Sequence, residues 1–295
     1  MVIAMYDCII IGGGISGLTA SLYLARAGIK TLVLEESVCG GQILNAQNIE
    51  NYPGVNSING FELINNLTLQ VKSYDCVDLK YEKVISIDNN SVTSSSNVYK
   101  TKTIIIACGL KKKTLGLEHE EELIGSGISY CASCDGAFFK DRDVAVVGGG
   151  NTALDDVLYL SKIVNKVYLI IRREEFRGDK VLVDRINSLD NVEIIKSSKV
   201  TSLIGKPLNR IELNNNRLLD VSGLFIAIGS SPNTEFIHSL INLDDEGYII
   251  SEDTKTNVPN IFASGDIRTK GLRQLVTAAS DGAIAANNVI QYLHN

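Results

Sequence analysis

Tyr6-Asp7-Cys8-Ile9-Ile10-Ile11-Gly12-Gly13-Gly14-Ile15-Ser16-Gly17 is the stretch that decides the fold. An apolar run that ends in glycines predicts a buried parallel strand feeding a tight turn. Gly17 to Ala27 follows, with Leu18, Leu22 and Ala25 at helical spacing and Gly28 as a stop signal. Thr31-Leu32-Val33-Leu34 is the next strand, completing one βαβ unit. In such a turn the first glycine permits the bend, the second admits a pyrophosphate against the backbone, and the third lets helix and strand pack closely. The phosphate then rests on the helix N-terminus.

The pattern recurs. Asp143 to Val147 reads as a strand, Gly148-Gly149-Gly150-Asn151-Thr152-Ala153 as a second glycine turn, Thr152 to Ile163 as a helix and Lys166 to Ile171 as a strand. Two such units, far apart, predict an α/β chain with two Rossmann-like, three-layer dinucleotide-binding domains. Three more strands end in glycine: Thr103 to Ala107, Leu224 to Ile228, and Ile261 to Ala263 before Gly265-Asp266. Gln274 to Leu293 is alanine-rich and helix-like; Asn45 to Asn59 reads as loop, and Ser91 to Asn97 as the polar tip of a hairpin.

The residue closing the second strand distinguishes the two units. In the first it is Glu35, whose carboxylate would accept hydrogen bonds from ribose hydroxyls and repel a 2′-phosphate, which suits FAD or NAD. The plain alternative is a solvated strand end formed by Glu35 and Glu36. In the second unit the corresponding position is Arg172, followed by Arg173 and Arg177. Guanidiniums grip phosphate in a forked, charge-assisted geometry, so this site predicts NADPH. The alternative is a surface basic patch balanced by Glu174 and Glu175.

Cys131-Ala132-Ser133-Cys134-Asp135-Gly136 lies between the two units. Structural zinc needs four ligands, and this chain has one close cysteine pair and three histidines, His119, His238 and His294, at no useful spacing from it. Two inert cysteines fit poorly with the turn-like Asp135-Gly136, so a redox disulfide leads. Asp135 could carry the proton that makes or quenches a thiolate, or could simply be a turn or cap residue. Nicotinamide, flavin and disulfide then form one electron path.

Composition narrows the rest. The chain has 295 residues, room for two domains, and six cysteines, too few for a disulfide-stapled secreted scaffold. Cys8, Cys39, Cys76 and Cys108 read as small buried or half-buried residues. A net charge of -6 argues against nucleic acid and anionic membranes as partners. No stretch approaches a membrane span. The apolar start, Met1 to Ile11, lacks a basic leader and carries Asp7, so it reads as a strand rather than a signal peptide, and a cytoplasmic location is expected.

The ordered motifs resemble the low-molecular-weight, bacterial-type thioredoxin reductases over nearly the whole chain. The likeness rests on Gly12 to Gly17, Gly40-Gly41-Gln42, Glu50-Asn51-Tyr52-Pro53-Gly54, Cys131 to Gly136, Gly148 to Ala153, Arg172-Arg173 with Phe176-Arg177, Gly265-Asp266, and Arg273-Gln274 with Thr277-Ala278-Ala279. It implies a fold of the class II pyridine nucleotide-disulfide oxidoreductase type. A discontinuous FAD domain would span 1–111 and 243–295, and an NADPH domain, 112–242, would carry the dithiol. Cys131, Cys134 and Asp135 would be catalytic. FAD would meet Gly12, Gly14, Ser16, Gly17, Glu35, Gly41, Gln42 and Asn51, with Gly265 and Asp266 on the ribitol side and Arg273 and Gln274 near the isoalloxazine. NADPH would meet Gly148, Gly150, Asn151 and Thr152 beside Arg172, Arg173 and Arg177. The resemblance further implies a homodimer, a thioredoxin substrate and rotation of one domain against the other.

Some positions depart from the family pattern. Ile15-Ser16 replaces Pro-Ala, Asp155-Asp156 replaces a glutamate pair, and Cys108 replaces threonine. Ile171 replaces the histidine that usually precedes the arginines, which somewhat weakens the expected 2′-phosphate preference. Two rival readings stand: the same fold fed by ferredoxin, which should lack the second glycine turn and the arginines, and a flavin-binding redox sensor without turnover, which should have a damaged dithiol.

Overall fold

The structure, a computed structural model, describes residues 5–46, 49–237 and 239–294. Met1 to Ala4, Gln47, Asn48, His238 and Asn295 lie outside the described residues, and with them part of the expected Asn45–Asn59 loop and one of the three histidines. The chain divides into two compact units, Met1–Lys111 with Ser231–Asn295, and Lys112–Ser230. Residues 231–242, expected in the second unit, belong to the first. The reason is burial: Phe236, Ile237 and Ile241 share a core with Tyr6, Ile9 and Ile261.

In the first unit the sheet runs in the order Val77–Tyr81, Thr31–Glu35, Met5–Ile11, Val98–Ile106, Ser91–Ser94, Val84–Asp88. The first four strands are parallel and the last two pair antiparallel. Val98–Ile106 has two further neighbours besides Met5–Ile11. Its start pairs antiparallel with Ser91–Ser94, and Ile104 to Ile106 pair in parallel with Ile261–Ala263. Ile104, Ile105 and Ile106 are fully buried, as a strand covered on both faces must be.

Ser91 to Asn97 is therefore more than a turn. Ser91–Ser94 is a strand because Val92 is fully buried, while the bend itself is made by Ser94, whose hydroxyl accepts the N–H groups of Ser96 at 3.2 Å and Asn97 at 3.0 Å. The helices Ile15–Arg26 and Leu275–His294 pack closely together. A Cβ on Gly282 would lie 2.3 Å from the Ser16 carbonyl oxygen, which explains the small residues of the last helix.

The second unit has a five-stranded parallel sheet ordered Val192–Ile195, Lys166–Ile170, Asp143–Val147, Gly223–Ile226, Ile128–Ser129. A three-stranded antiparallel sheet, Val200–Ile204, Arg210–Leu213 and Leu218–Asp220, accompanies it. Its second glycine turn opens the helix Asn151–Leu160. Among the described residues no helix is long and apolar enough to cross a membrane.

Candidate functional site

The first unit contains a cavity of about 690 Å³ at its glycine turn. Gly12 adopts φ 106°, and a Cβ there would lie 2.6 Å from the Ala107 carbonyl oxygen. A Cβ on Gly17 would lie 1.9 Å from the Gly12 carbonyl oxygen, so this glycine serves packing and does not line the cavity. The helix Ile15–Arg26 starts on Gly14 with no side-chain cap and no acid in its first turn. Its free N–H groups and positive dipole end are thus left to a ligand anion.

The polar walls of the cavity are fixed in place. Glu35 accepts the Gly13 N–H at 2.7 Å and the Ser37 N–H at 3.1 Å, so its carboxylate is held beside the glycine turn. Gln42 donates to the Leu110 carbonyl at 3.1 Å, and Gly41 beside it also lines the wall. Gly265, Asp266, Arg273 and Gln274 line it as well, and Ser16 sits against Gly265 with its hydroxyl hydrogen-bonded to that of Ser264. Asn51 is not in the wall; its amide donates to Gln274 Oε1 at 3.1 Å and so acts on the cavity through that residue.

Asp266 is the most telling group. Its Oδ1 is buried without a hydrogen-bond partner, and burial pushes its carboxyl above the usual range. Buried acceptors left open are rare, and they point to a donor that belongs there. The adjacent backbone is rigid. Asp281 accepts the Gly265 N–H at 3.1 Å and is ion-paired, nearly buried, with Arg268 at 3.2 Å and Lys270 at 2.8 Å. An open acceptor, a carboxylate at a strand end and an uncapped helix suit a long ligand that carries hydroxyls and a diphosphate.

At the second glycine turn, Gly148 adopts φ 151°, and a Cβ there would lie 2.3 Å from the Ala227 carbonyl oxygen. Gly150, where a Cβ would meet nothing, caps the helix that Asn151 and the exposed Thr152 begin. Strand register corrects one expectation. Ile11 pairs with Leu34, and Val147 pairs with Ile170, so the counterpart of Glu35 is Ile171, not Arg172. A Cβ on Gly149 would face Ile171 at 3.6 Å, as one on Gly13 would face Glu35 at 3.3 Å. Equal spans from Gly12 to Glu35 and from Gly148 to Ile171 carry this signal in the sequence. The acid of the first site is replaced by a buried isoleucine, and the arginines follow it.

Arg172, Arg173 and Arg177 are exposed and make no ion pair among the described residues. Glu174 does not balance them; it accepts from Ser197 at 2.8 Å and pairs with Lys196 at 3.9 Å. The side chain of Asn151, expected at the nucleotide, is occupied by Asp179.

Cys131 and Cys134 form a disulfide across the short helix Ala132–Asp135. Asp135 is tethered: the Ser129 hydroxyl donates to its Oδ2 at 2.6 Å and accepts the Cys131 N–H at 3.0 Å. Ser129 is buried at the end of its strand and has no motif to announce it. Tyr130 donates to Glu120 Oε1 at 2.9 Å, and the same buried carboxylate accepts the N–H groups of Leu115 and Leu117, which pins the segment before the dithiol. The remaining cysteines are free and buried or half-buried, with burial pushing the Cys8 and Cys108 thiols up to about 12. Cys131 and Cys134 are the bonded pair.

A family model described as pyridine nucleotide-disulphide oxidoreductase matches residues 6–282. A thioredoxin reductase of Listeria innocua is 41% identical over 98% of this chain and 94% of its own length. One of Bacillus subtilis is 39% identical, covering 98% of this chain and 95% of its own. Among solved structures, the thioredoxin reductase of Lactococcus lactis in its FR conformation superimposes with a TM-score of 0.81 at 34% identity, covering 98% of this chain and 99% of that one. Likeness that runs nearly from end to end leaves neither unit outside it, and the chain belongs to the pyridine nucleotide-disulphide oxidoreductase family, among its thioredoxin reductases.

Proposed function

We propose that the protein is an NADPH-dependent flavoprotein that reduces the disulfide of thioredoxin, or of a thioredoxin-like protein, through FAD and the Cys131/Cys134 pair. One observation carries the reading: a bonded Cys-x-x-Cys with a tethered carboxyl lies in the same compact unit as an acid-free, arginine-flanked glycine turn.

The cavity of the first unit fits FAD. Gly12, Gly14 and the helix start at Ile15 would hold the diphosphate, Glu35 a ribose, and the open Oδ1 of Asp266 a ribityl hydroxyl. When bound, FAD supplies two-electron chemistry between a nicotinamide and a disulfide. Gly148 and Gly150 would admit the NADPH pyrophosphate to the helix that Asn151 and Thr152 begin, and Arg172, Arg173 and Arg177 would grip the 2′-phosphate. On this assignment the FAD unit is 1–111 with 231–295, and the NADPH unit is 112–230.

The residues of the second unit perform the exchange. Reduced, one cysteine thiolate attacks the substrate disulfide and forms a mixed disulfide; the other cysteine displaces the substrate and restores the Cys131–Cys134 bond. Asp135, held by Ser129, gives a proton to the leaving substrate thiolate. In sum, NADPH and one solvent proton convert a substrate disulfide to two thiols. Homodimer assembly and a cytoplasmic location belong to the same proposal. A ferredoxin-fed relative would have no use for the arginine-flanked turn, which favours NADPH as donor.

NADPH consumption by the purified protein, with and without oxidised thioredoxin from the same source, tests the reading. Consumption that depends on thioredoxin supports it, and Cys134→Ser should abolish that turnover while NADPH still bleaches the flavin. Bleaching without a thioredoxin effect means another disulfide is the acceptor. No bleaching means another donor.

A further inference from the structure

The loop that carries the three arginines is fastened back onto the second glycine turn at its far end. The Arg177 and Gly178 N–H groups both donate to the Gly149 carbonyl oxygen, at 2.8 and 3.0 Å. One residue on, the Asp179 N–H donates to Asn151 Oδ1 at 2.7 Å, and Asn151 Nδ2 donates to Asp179 Oδ2 at 3.0 Å. The loop lies tight here: a Cβ on Gly178 would be 2.4 Å from Leu154 Cδ1 and 2.8 Å from Asn151 Oδ1. Asn151 opens the helix under the glycine turn, and Asp179 precedes the helix Lys180–Asn187. The pair therefore ties the segment that would hold the 2′-phosphate to the segment that would hold the pyrophosphate.

We propose that Asn151 and Asp179 form a latch that sets the position of the arginine loop, and with it the preference for a dinucleotide bearing a 2′-phosphate. Asn151 is then a positioning residue and makes no direct contact with the nucleotide. The proposal rests on the NADPH reading above. Its chemistry is specific. Asp179 presents one donor, its N–H, and one acceptor, its carboxylate; the amide of Asn151 answers both at once, with separate atoms for each. Long exposed arginines lose side-chain and loop entropy when they bind, and a loop already fixed at both ends loses less. An acid at 151 would still accept the N–H but would face the Asp179 carboxylate, and the latch would open.

The test uses the flavin-loaded enzyme and compares KM for NADPH and NADH in the wild type, Asp179→Ala, Asn151→Asp and the exchanged double variant Asn151→Asp/Asp179→Asn. Both residues are exposed, so the variants should fold. Each single change should raise KM for NADPH about fivefold to tenfold, the loss of one or two modest hydrogen bonds, and shift KM for NADH less than about twofold. The exchanged pair should recover the wild-type value, because amide and carboxylate are both present again. Calorimetric titration with adenosine 2′,5′-bisphosphate should follow the same order, and titration with 5′-AMP should not.

Three results would overturn the latch. Equal rises for NADPH and NADH would make Asn151 a pyrophosphate ligand. A lower KM for NADPH in Asp179→Ala would make Asp179 a repelling charge. Failure of the exchanged pair to recover would deny the pairing. A wild type that does not prefer NADPH defeats the functional reading itself, and that is seen before any variant is compared.

Discussion

The Ser129 hydroxyl donates to Asp135 Oδ2 at 2.6 Å and accepts the Cys131 N–H at 3.0 Å, so the proposed acid is tied to the backbone of the dithiol by one buried side chain. Removing the hydroxyl would take away both hydrogen bonds and leave the Asp135 carboxyl free to turn from the dithiol. Ser129→Ala should therefore lower thioredoxin turnover by about tenfold while the rate of flavin reduction by NADPH stays put. Ser129→Thr, which keeps the hydroxyl, should recover most of it. Stopped-flow reduction beside steady-state turnover separates the two steps; equal loss in both would make Ser129 a packing residue only.

Arg172 and Arg173 follow a buried isoleucine where the first unit has an acid. Neither arginine is ion-paired among the described residues, so their charge is available to a ligand. Replacing both by alanine should raise KM for NADPH by about tenfold or more and leave NADH nearly unaffected, since only NADPH carries the 2′-phosphate. Parallel initial-rate curves with the two nucleotides decide it; an equal effect would remove the phosphate assignment.

The glycine turns were legible because a backbone that must bend, approach a phosphate and admit a helix tolerates few residue types. Gly12 and Gly148, each with a left-handed φ and a carbonyl oxygen within a Cβ's reach, have no alternative. What escaped depends on partners distant in sequence. Ser91–Ser94 reads as a polar turn, since its serines serve a strand end and a bend together. The return to the first unit at Ser231 is drawn by the burial of Phe236 and Ile237, which no local pattern marks. Glu120 meets Tyr130 across an intervening strand and turn, with no spacing rule to predict it. The helix Gly60–Lys72 has a capping signal, where Asn59 accepts the Glu62 N–H at 2.8 Å, and an apolar face of Ile64, Leu67 and Val71.

Asp266 gives a prediction in which binding and folding move apart. Its Oδ1 has no partner among the described residues and its carboxyl is raised by burial, so the group costs the folded chain more than it contributes. Asp266→Ala should leave the melting temperature of the flavin-free protein unchanged or higher. Its affinity for FAD should fall by about tenfold, the worth of a hydrogen bond to a charged group. Flavin retained after gel filtration, together with melts of the flavin-free protein, checks both. Full flavin occupancy at low protein concentration would exclude Asp266 from the site.

Asp156 gives a prediction of pH-dependent stability in the second unit. It lies half-buried on the helix Asn151–Leu160, and burial pushes its carboxyl up to about 6, with Lys112 opposing the shift and Asp155 adding to it. Its ordinary value is 3.8, so between about pH 4 and pH 6 the unfolded chain gives up a proton that the folded chain keeps. Stability contributed by the protonated carboxyl is thus lost as pH rises through that window, and the deficit persists above it. Asp156→Asn removes the ionisation and should stabilise the protein by on the order of 2 kcal/mol at pH 7.5, with a much smaller gain at pH 4. In a chain of this size that is a rise of roughly 3 °C in the midpoint at the higher pH. Thermal melts of both proteins at the two pH values provide the check. A gain that is equal at pH 4 and pH 7.5 would mean that the amide merely packs better, and that the Asp156 carboxyl does not carry the pH dependence.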